Sequence, residues 1–518
     1  MFCKKILFIV ILFSLILSGC VDKQTTEKLP RSIPEAEGVS SGNILRFIDA
    51  AENSKNELHS FMFLRHGKVI AEGWWYPYRD DLKHTLYSTS KSFTSTAVGF
   101  AVTENLLGVE DKVISFFPED MPDTISPYLS GLTVKNLLTM SVGQDPDPTH
   151  LVVSRDSNWI KGFFSIPIVD EPGTKFLYNS LATYMLSAIV QEVTGEKVID
   201  YLTPRLFEPL GIQNIDWEVD PGGINTGGWG LRVKTEDMAK FGQLYLQEGK
   251  WNDIQILPEE WVEEATTIKI EQAPDLPQAV KDSSDWLQGY CYQFWRCRHH
   301  AFRADGAYGQ FIIVMPDQDA VVAITAETSD MQDELNLVWE HLLPAMHETE
   351  LSANDSIIAA LKEKLSSLAL PLPEKSDNPS FVKSISGKTF ILEPTESHNE
   401  SMSFTFSDHV CHLTIQTDTA VYELTFGSGE WQTGETTRRG PYLLSTAKAS
   451  LTGLSPFKVA GSYRWEDENT LKLLLRYIES PHTETMICHF DQNKISVDIQ
   501  YSFIPRIFES AWKGELKE

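Results

Sequence analysis

Tyr87-Ser88-Thr89-Ser90-Lys91-Ser92-Phe93, continued by the small, apolar run Thr94 to Ala101, is the stretch on which the fold turns. Residues three apart on a helix share a face, with Cβ atoms about 5–6 Å apart, so the Lys91 amine can reach the Ser88 hydroxyl. A serine hydroxyl is a weak nucleophile until a neighbour takes its proton, which makes S-x-x-K a candidate catalytic pair. The string alone decides little, because it begins five times, at Ser88, Ser380, Ser445, Ser455 and Ser510. The last four fall in segments that read as strand, loop or tail, and only Ser88 has a long apolar helix behind it.

A chain of 518 residues suits two or three domains. With 42% hydrophobic, 22% charged and 11% aromatic residues, it has the composition of an ordinary globular protein. The first twenty residues differ. Lys4 and Lys5 precede the apolar run Ile6 to Leu17, which is too short for a stable spanning helix and has the layout of a signal peptide. Leu17-Ser18-Gly19-Cys20 resembles a prokaryotic lipobox, so Cys20 is the expected lipidation site. The protein is expected to be exported and lipid-anchored at the cell surface or periplasmic face of a prokaryotic membrane, touching membrane only through that anchor. Removing the leader takes two lysines and moves the formal charge from −28 to −30. So acidic a surface repels phosphate backbones, and nucleic acid is excluded as a partner.

Cys291, Cys297, Cys411 and Cys488 remain in the mature chain. Export permits oxidation, and for Cys411 and Cys488 a disulfide and a pair of buried thiols are both open. The cluster Cys291, Cys297, His299, His300 fits no standard zinc spacing in a segment that alternates like a strand. Neither metal nor cofactor is expected.

Along the chain, Val21 to Pro30 is polar and suits a tether. Gly38-Val39-Ser40-Ser41-Gly42 matches G-x-S-x-G, but no strand precedes it, so it reads as a helix start with Ser41 as cap. Phe61 to Leu64 and Val69 to Trp75 flank the turn His66-Gly67-Lys68 as a hairpin. Val113 to Phe117 and Leu132 to Met140 read as short helices, and Asp145-Pro146-Asp147-Pro148 as a loop suited to a site wall. Pro172-Gly173-Thr174-Lys175-Phe176-Leu177-Tyr178-Asn179-Ser180 leads into a helix with Leu181, Met185, Leu186, Ile189 and Val190 on one stripe, closed by Gly195. Tyr178 thus stands just ahead of a helix N-terminus.

Thr235 reads as the cap of a helix through Leu246, and Pro258 opens another. Phe311 to Met315 and Ala320 to Ala326, joined by Pro316-Asp317-Gln318-Asp319, form a hairpin at the centre of a sheet, and Leu335 to Leu343 a closing helix. From Ser376 the chain alternates in short runs and reads as a separate all-β sandwich or small barrel, joined by the helix Ile357 to Leu368. Its part is open between gating the site, binding cell-wall material and stabilising the fold.

In order and spacing, residues 40 to 345 resemble the serine β-lactamase and penicillin-binding-protein superfamily. They look closest to its class C β-lactamase, esterase and 6-aminohexanoate-oligomer hydrolase branch. Ser88-Thr89-Ser90-Lys91 fits the first motif and Tyr178-Asn179-Ser180 the second. Gly227-Gly228-Trp229-Gly230-Leu231 before Asp237 to Gly242 is also characteristic, and Gly306 to Pro316 fits the third-motif strand. The resemblance implies an α/β (α+β) fold: an antiparallel sheet flanked by helices plus an all-helical subdomain, here followed by the all-β domain. The expected order is signal peptide 1–20, tether 21–40, hydrolase domain 41–350, helical linker 351–375 and β-rich domain 376–518.

It further implies that Ser88 attacks an ester or amide carbonyl to form an acyl-enzyme, with Lys91 and Tyr178 moving the proton. Which of the two is the base stays open. The backbone N–H groups of Ser88 and Ala307 would hold the oxyanion, with Ser180, Asp305 and Gly306 on the substrate side. Two departures bear on substrate. Ser180 stands where class C enzymes have asparagine, and Ala304-Asp305-Gly306 aligns with Lys-Thr-Gly, an acid where a cation would hold a substrate carboxylate. The expected partner is a small-molecule or peptide-like ester or amide, and a basic group on it would fit. The alternatives are a D-Ala-D-Ala-type peptidase or weak β-lactamase, and a catalytically silent surface binding protein. A Ser-His-Asp triad lacks an elbow in the right setting.

Overall fold

The computed structural model describes residues 28–395, 398–443 and 451–517. The leader with Cys20 and the S-x-x-K string at Ser445 lie outside them. The first unit opens with helix α1 (Ser41–Asn53), whose buried Ile44, Phe47 and Ile48 face the sheet beneath. Ser41 is its first helical residue and not its cap: both its N–H and its hydroxyl go to the Glu35 carboxylate, at 2.9 and 2.8 Å. Six antiparallel strands follow in the order β2–β1–β6–β5–β4–β3. They are β1 (Glu57–Arg65), β2 (Lys68–Trp74), β3 (Trp295–Arg296), β4 (Phe302–Gly306), β5 (Gln310–Met315) and β6 (Ala320–Glu327).

The β5–β6 hairpin is central, as its run of apolar residues predicts for strands covered on both faces. One face (Met62, Leu64, Ile312, Val314, Val321, Ala323) packs towards α2 (Ser90–Thr103) and α4 (Thr235–Leu246). The other (Phe61, Phe63, Phe311, Ile313, Val322, Ile324) packs towards α1 and α5 (Met331–Leu337). Between Ser90 and Thr235 lies the all-helical subdomain: the short helices Pro127–Gly131, Val134–Leu138, Thr149–Arg155 and Trp159–Ser165, then α3 (Ser180–Thr194). Gly195 ends α3 in the left-handed region at φ 74°, as expected.

Thr235 is another first-turn residue and not a cap. Lys234 holds the cap position, its N–H taken by the Asp237 carboxylate at 3.2 Å, while the Thr235 hydroxyl meets Ser60 at 2.7 Å. Tyr290 to Phe294, in the alternating segment ahead of β3, is no strand. It is an irregular turn with Gln293 at φ 65°, because the Gln293 side chain is drawn inward to donate to the Leu137 and Leu138 carbonyls.

Helix α6 (Asp355–Ser366) leads to ten strands: β7 (Lys388–Leu392), β8 (Asn399–Ser407), β9 (Val410–Thr417), β10 (Val421–Ser428), β11 (Gln432–Thr436), β12 (Phe457–Trp465), β13 (Thr470–Tyr477), β14 (Thr483–Asp491), β15 (Lys494–Tyr501) and β16 (Ile507–Leu516). The sheet runs β10–β9–β8–β7–β16–β15–β14–β13–β12–β11 and closes through a parallel contact of Gly427 and Ser428 with Ser462 and Tyr463. The domain is therefore a barrel, which leaves few free edges. Alternate residues such as Phe390, Phe404, Leu413, Phe426, Leu473 and Val497 fill its interior. Cys411 and Cys488 are buried free thiols in that core.

The barrel and the first unit share a core. Trp431, Ala460 and Ile478 cluster with Phe61, Trp75 and Tyr78. Arg476 pairs with Glu57 at 2.5 Å, and Arg232 with Glu479 at 3.3 Å.

Candidate active site

The chain enters the site through the short strand His84–Thr85, paired with Leu231–Val233, and turns at Tyr87, a non-glycine residue at φ 47°. Tyr87–Thr89 form one 3₁₀ turn, and α2 begins at Ser90. Side chains lock this turn. The Thr89 hydroxyl donates to the Gln310 carbonyl at 2.7 Å, and the Ser90 hydroxyl donates to the Tyr87 carbonyl at 2.6 Å while accepting from the Leu231 N–H at 3.2 Å. The first three turns of α2 are buried on every side, so Ser88, half-buried at its mouth, is held on a rigid base.

Lys91 is 1% exposed, and its Nζ lies 3.2 Å from Ser88 Oγ, 3.0 Å from Ser180 Oγ and 2.7 Å from the Gly228 carbonyl oxygen. Burial pulls its pKa down to about 7, against a weak upward pull from Asp147 and Asp305. The Tyr178 phenol faces the Ser88 hydroxyl. Burial pushes its phenol far up, so it stays protonated at neutral pH. Its ring stacks on Trp295 at 5.6 Å and meets Tyr290 edge-on, with Lys91 Nζ 5.0 Å from the ring centre.

Asn179 fixes the tyrosine's approach. It caps α3 by accepting from the Ala182 N–H at 3.1 Å and donates to Gln144 Oε1 at 3.0 Å. Ser88, Lys91, Tyr178 and Ser180, some ninety residues apart in sequence, thus meet in one place. The Ser180 hydroxyl is turned to Lys91.

The third wall is β4. A Cβ on Gly306 would lie 2.2 Å from the Leu86 carbonyl oxygen and 2.8 Å from Thr89 Oγ1, so a glycine is what lets the strand press on the Ser88 turn. The next residue, Ala307, borders the same cavity as Ser88. Asp305 and Gly306 do not. The Asp305 carboxylate is drawn to Arg303 Nε at 2.8 Å, a guanidinium that is fully buried, lies 4.4 Å over the Trp286 ring and also donates to the Asp285 carbonyl. The acid expected to face substrate is paired inside the wall. Arg303, two residues earlier on the same strand face, is the partner the sequence reading missed.

The cavity holds about 140 Å³ and is lined by Tyr87, Ser88, Asp147, Thr149, His150, Ser180, Gly228, Trp229, Ala307, Tyr442 and Leu443. Asp147 comes from the loop expected to form a wall. Tyr442 and Leu443 come from the barrel domain, and nothing local in the sequence places them there. Tyr442 OH donates to Glu218 Oε2 at 2.7 Å and accepts from Trp229 Nε1 at 3.1 Å, while Arg439 pairs with the same Glu218. The cluster near Cys291 disperses. The Cys291 thiol donates to the Thr266 carbonyl, Cys297 accepts from Arg303, His299 lies against Trp339 and His300 pairs with Asp317.

A family model described as Beta-lactamase matches residues 59–343, from within β1 to just past α5. A 6-aminohexanoate-dimer hydrolase of Paenarthrobacter ureafaciens is 25% identical over 287 residues, covering 51% of this chain and 71% of that protein. A beta-lactamase of Escherichia coli K12 is 23% identical over 182 residues, covering 31% of this chain and 47% of that protein. Among solved structures, a Bacillus anthracis protein described as a candidate 6-aminohexanoate-dimer hydrolase superposes with a TM-score of 0.50 at 20% identity, covering 62% of this chain and 89% of its own. That last likeness is one of fold. The barrel lies beyond the family match.

Proposed function

The chain belongs to the Beta-lactamase family of serine hydrolases, and from that premise we propose that it cleaves an ester or amide through an acyl-enzyme on Ser88. One observation carries the reading: a buried amine, drawn down to about 7, stands 3.2 Å from the Ser88 hydroxyl. Lys91 in its neutral form takes the Ser88 proton as Oγ attacks the carbonyl carbon. The oxyanion is met by the N–H groups of Ser88 and Ala307. Tyr178, held as a neutral phenol, gives its proton to the leaving alcohol or amine and regains one from Lys91. Water then repeats the sequence on the acyl carbonyl, with Lys91 again the base. No metal or cofactor enters this scheme. Export and lipid attachment at Cys20 belong to the same proposal, supported by the leader's charge and apolar pattern.

In the alignment with Lys-Thr-Gly, Ala304, packed in the core, takes the lysine's place and Asp305, paired with Arg303, the next, so neither offers a cation to a substrate carboxylate. This favours small esters or amides without that carboxylate over penicillins. The test is intact-mass analysis after treatment with a fluorophosphonate or p-nitrophenyl ester. One adduct per chain on Ser88, absent from Ser88→Ala, is expected, while an unmodified, folded wild type overturns the reading. Burial depresses the Lys91 pKa, so the active, neutral form dominates above about 7. The acylation rate should therefore fall about tenfold per pH unit below that value. A flat profile between pH 5.5 and 8 would remove Lys91 as the base.

A further inference from the structure

Both residues that neighbour the oxyanion donors are strained. Tyr87, before Ser88, sits at φ 47°, and Tyr308, after Ala307, at φ 66°. Side chains other than glycine pay to stay in this region, and they do so only where the surroundings hold them. A single side chain of the barrel reaches both. His482, fully buried in the loop between β13 and β14, places Nε2 2.5 Å from Tyr87 OH, and its ring lies edge-on to Tyr308 at 4.9 Å. Its other nitrogen, Nδ1, is 2.7 Å from Glu327 Oε1 at the end of β6. That carboxylate also accepts from the Ser502 hydroxyl at 2.7 Å. Since a carboxylate only accepts, Nδ1 donates to it, and a neutral imidazole so oriented accepts from the Tyr87 hydroxyl at Nε2. Phe503 closes the other side of the imidazole at 4.2 Å.

The loop carrying His482 is itself pinned to the hydrolase unit. The Glu479 carbonyl accepts from the Thr85 N–H at 2.9 Å, and the Ser480 carbonyl accepts from Tyr78 OH at 3.0 Å. Glu327, on the central sheet, and the barrel loop thus fix the imidazole from two sides, and the imidazole fixes the tyrosines.

We propose that His482 of the barrel is a positioning residue for hydrolysis, holding the Tyr87 and Tyr308 backbones so that the Ser88 and Ala307 N–H groups converge on one oxyanion. The inference rests on the acyl-enzyme reading above. It assigns the barrel a part in the chemical step, beyond the wall it gives the cavity. Loss of one oxyanion donor costs about 10²–10³ in rate, and a displaced donor should cost about tenfold or more.

The test uses the full chain, with p-nitrophenyl ester turnover, pre-steady-state acylation, inhibition by phenylboronic acid and the melting temperature. Wild type is compared with Tyr87→Phe, His482→Phe, His482→Gln and the Tyr87→Phe/His482→Phe pair. Tyr87→Phe and His482→Phe should each slow acylation about tenfold or more with KM within twofold. Boronate inhibition, which reports the tetrahedral adduct, should weaken by the same factor. The double variant should be no slower than the slower single. His482→Gln, which keeps an acceptor for Tyr87 and a donor for Glu327, should recover most of the rate.

A folded His482→Phe or Tyr87→Phe within twofold of wild type overturns the proposal, as does a loss confined to KM. Should His482→Phe fail to fold, Tyr87→Phe, which removes a single hydroxyl, still decides. A wild type that is not acylated overturns the hydrolase reading and this role together. A wild type that is acylated beside unaffected variants overturns this role alone.

Discussion

Arg303 and Asp305 project from the same face of β4 and meet at 2.8 Å with both side chains nearly excluded from water. Burying one such charge alone is costly, because its lost hydration has no replacement. Arg303→Met should therefore lower stability to denaturant by about 3–5 kcal/mol. Arg303→Met/Asp305→Asn, which removes both charges, should regain most of it. Equal losses in the two variants would mean that the stacking of Arg303 on Trp286, and not the ion pair, is what the fold requires. The same pair shows where a single-residue reading of sequence falls short. Asp305 in a third-motif position reads as an exposed recognition acid, but its meaning depends on a neighbour that no motif contains.

At the scale of elements, the close seat of β4 on the Ser88 turn depends on Gly306. Gly306→Ala would set a methyl against the Leu86 carbonyl, which cannot swing aside as a side chain could. Overpacking of this kind costs about 1–3 kcal/mol. The retreat of β4 should slow acylation while the melting temperature drops by several degrees. A variant that acylates at the wild-type rate would show that this contact does not set the site. Helices α2 and α3 and the β5–β6 hairpin were legible because each carries its own signal: a small-residue run after S-x-x-K, a stripe closed by Gly195, and an unbroken apolar pair of strands. The helices Thr149–Arg155 and Trp159–Ser165 were not. They are seven residues each, too short for a periodic stripe, and lie among prolines and acids that read as loop. Strands β11 and β16 carry no clear signal of their own, because Gln432–Thr436 and Ile507–Leu516 lack clean alternation and owe their pairing to barrel closure.

For the molecule as a whole, the junction of hydrolase unit and barrel is built on acids buried beside arginines. Burial pushes Asp216 up, but Arg232 and Lys83 outweigh it and draw the carboxyl down to about 2. Burial likewise opposes Glu57, whose carboxyl is lowered by Arg476 and His59. A folded-state pKa below the unfolded one gives stability that is complete above about pH 4.5 and drains away as pH falls towards 2. The unfolding midpoint should thus hold between pH 7 and 5 and decline steeply below 4. Proteolysis between the two units should appear first, and a midpoint that falls evenly from pH 7 would contradict this. The sequence foretold two units and a barrel or sandwich, yet carried no sign of their joint surface, whose contacts join residues from 155 to 419 positions apart.

Tyr442 and Leu443 have a bearing on how relatives are used as guides. A relative that matches residues 59–343 but carries a different appendage has another ceiling over its cavity. On the acyl-enzyme reading, its preferred substrate informs the bond broken more than the shape admitted, and grafting this barrel onto such a relative should shift its selectivity.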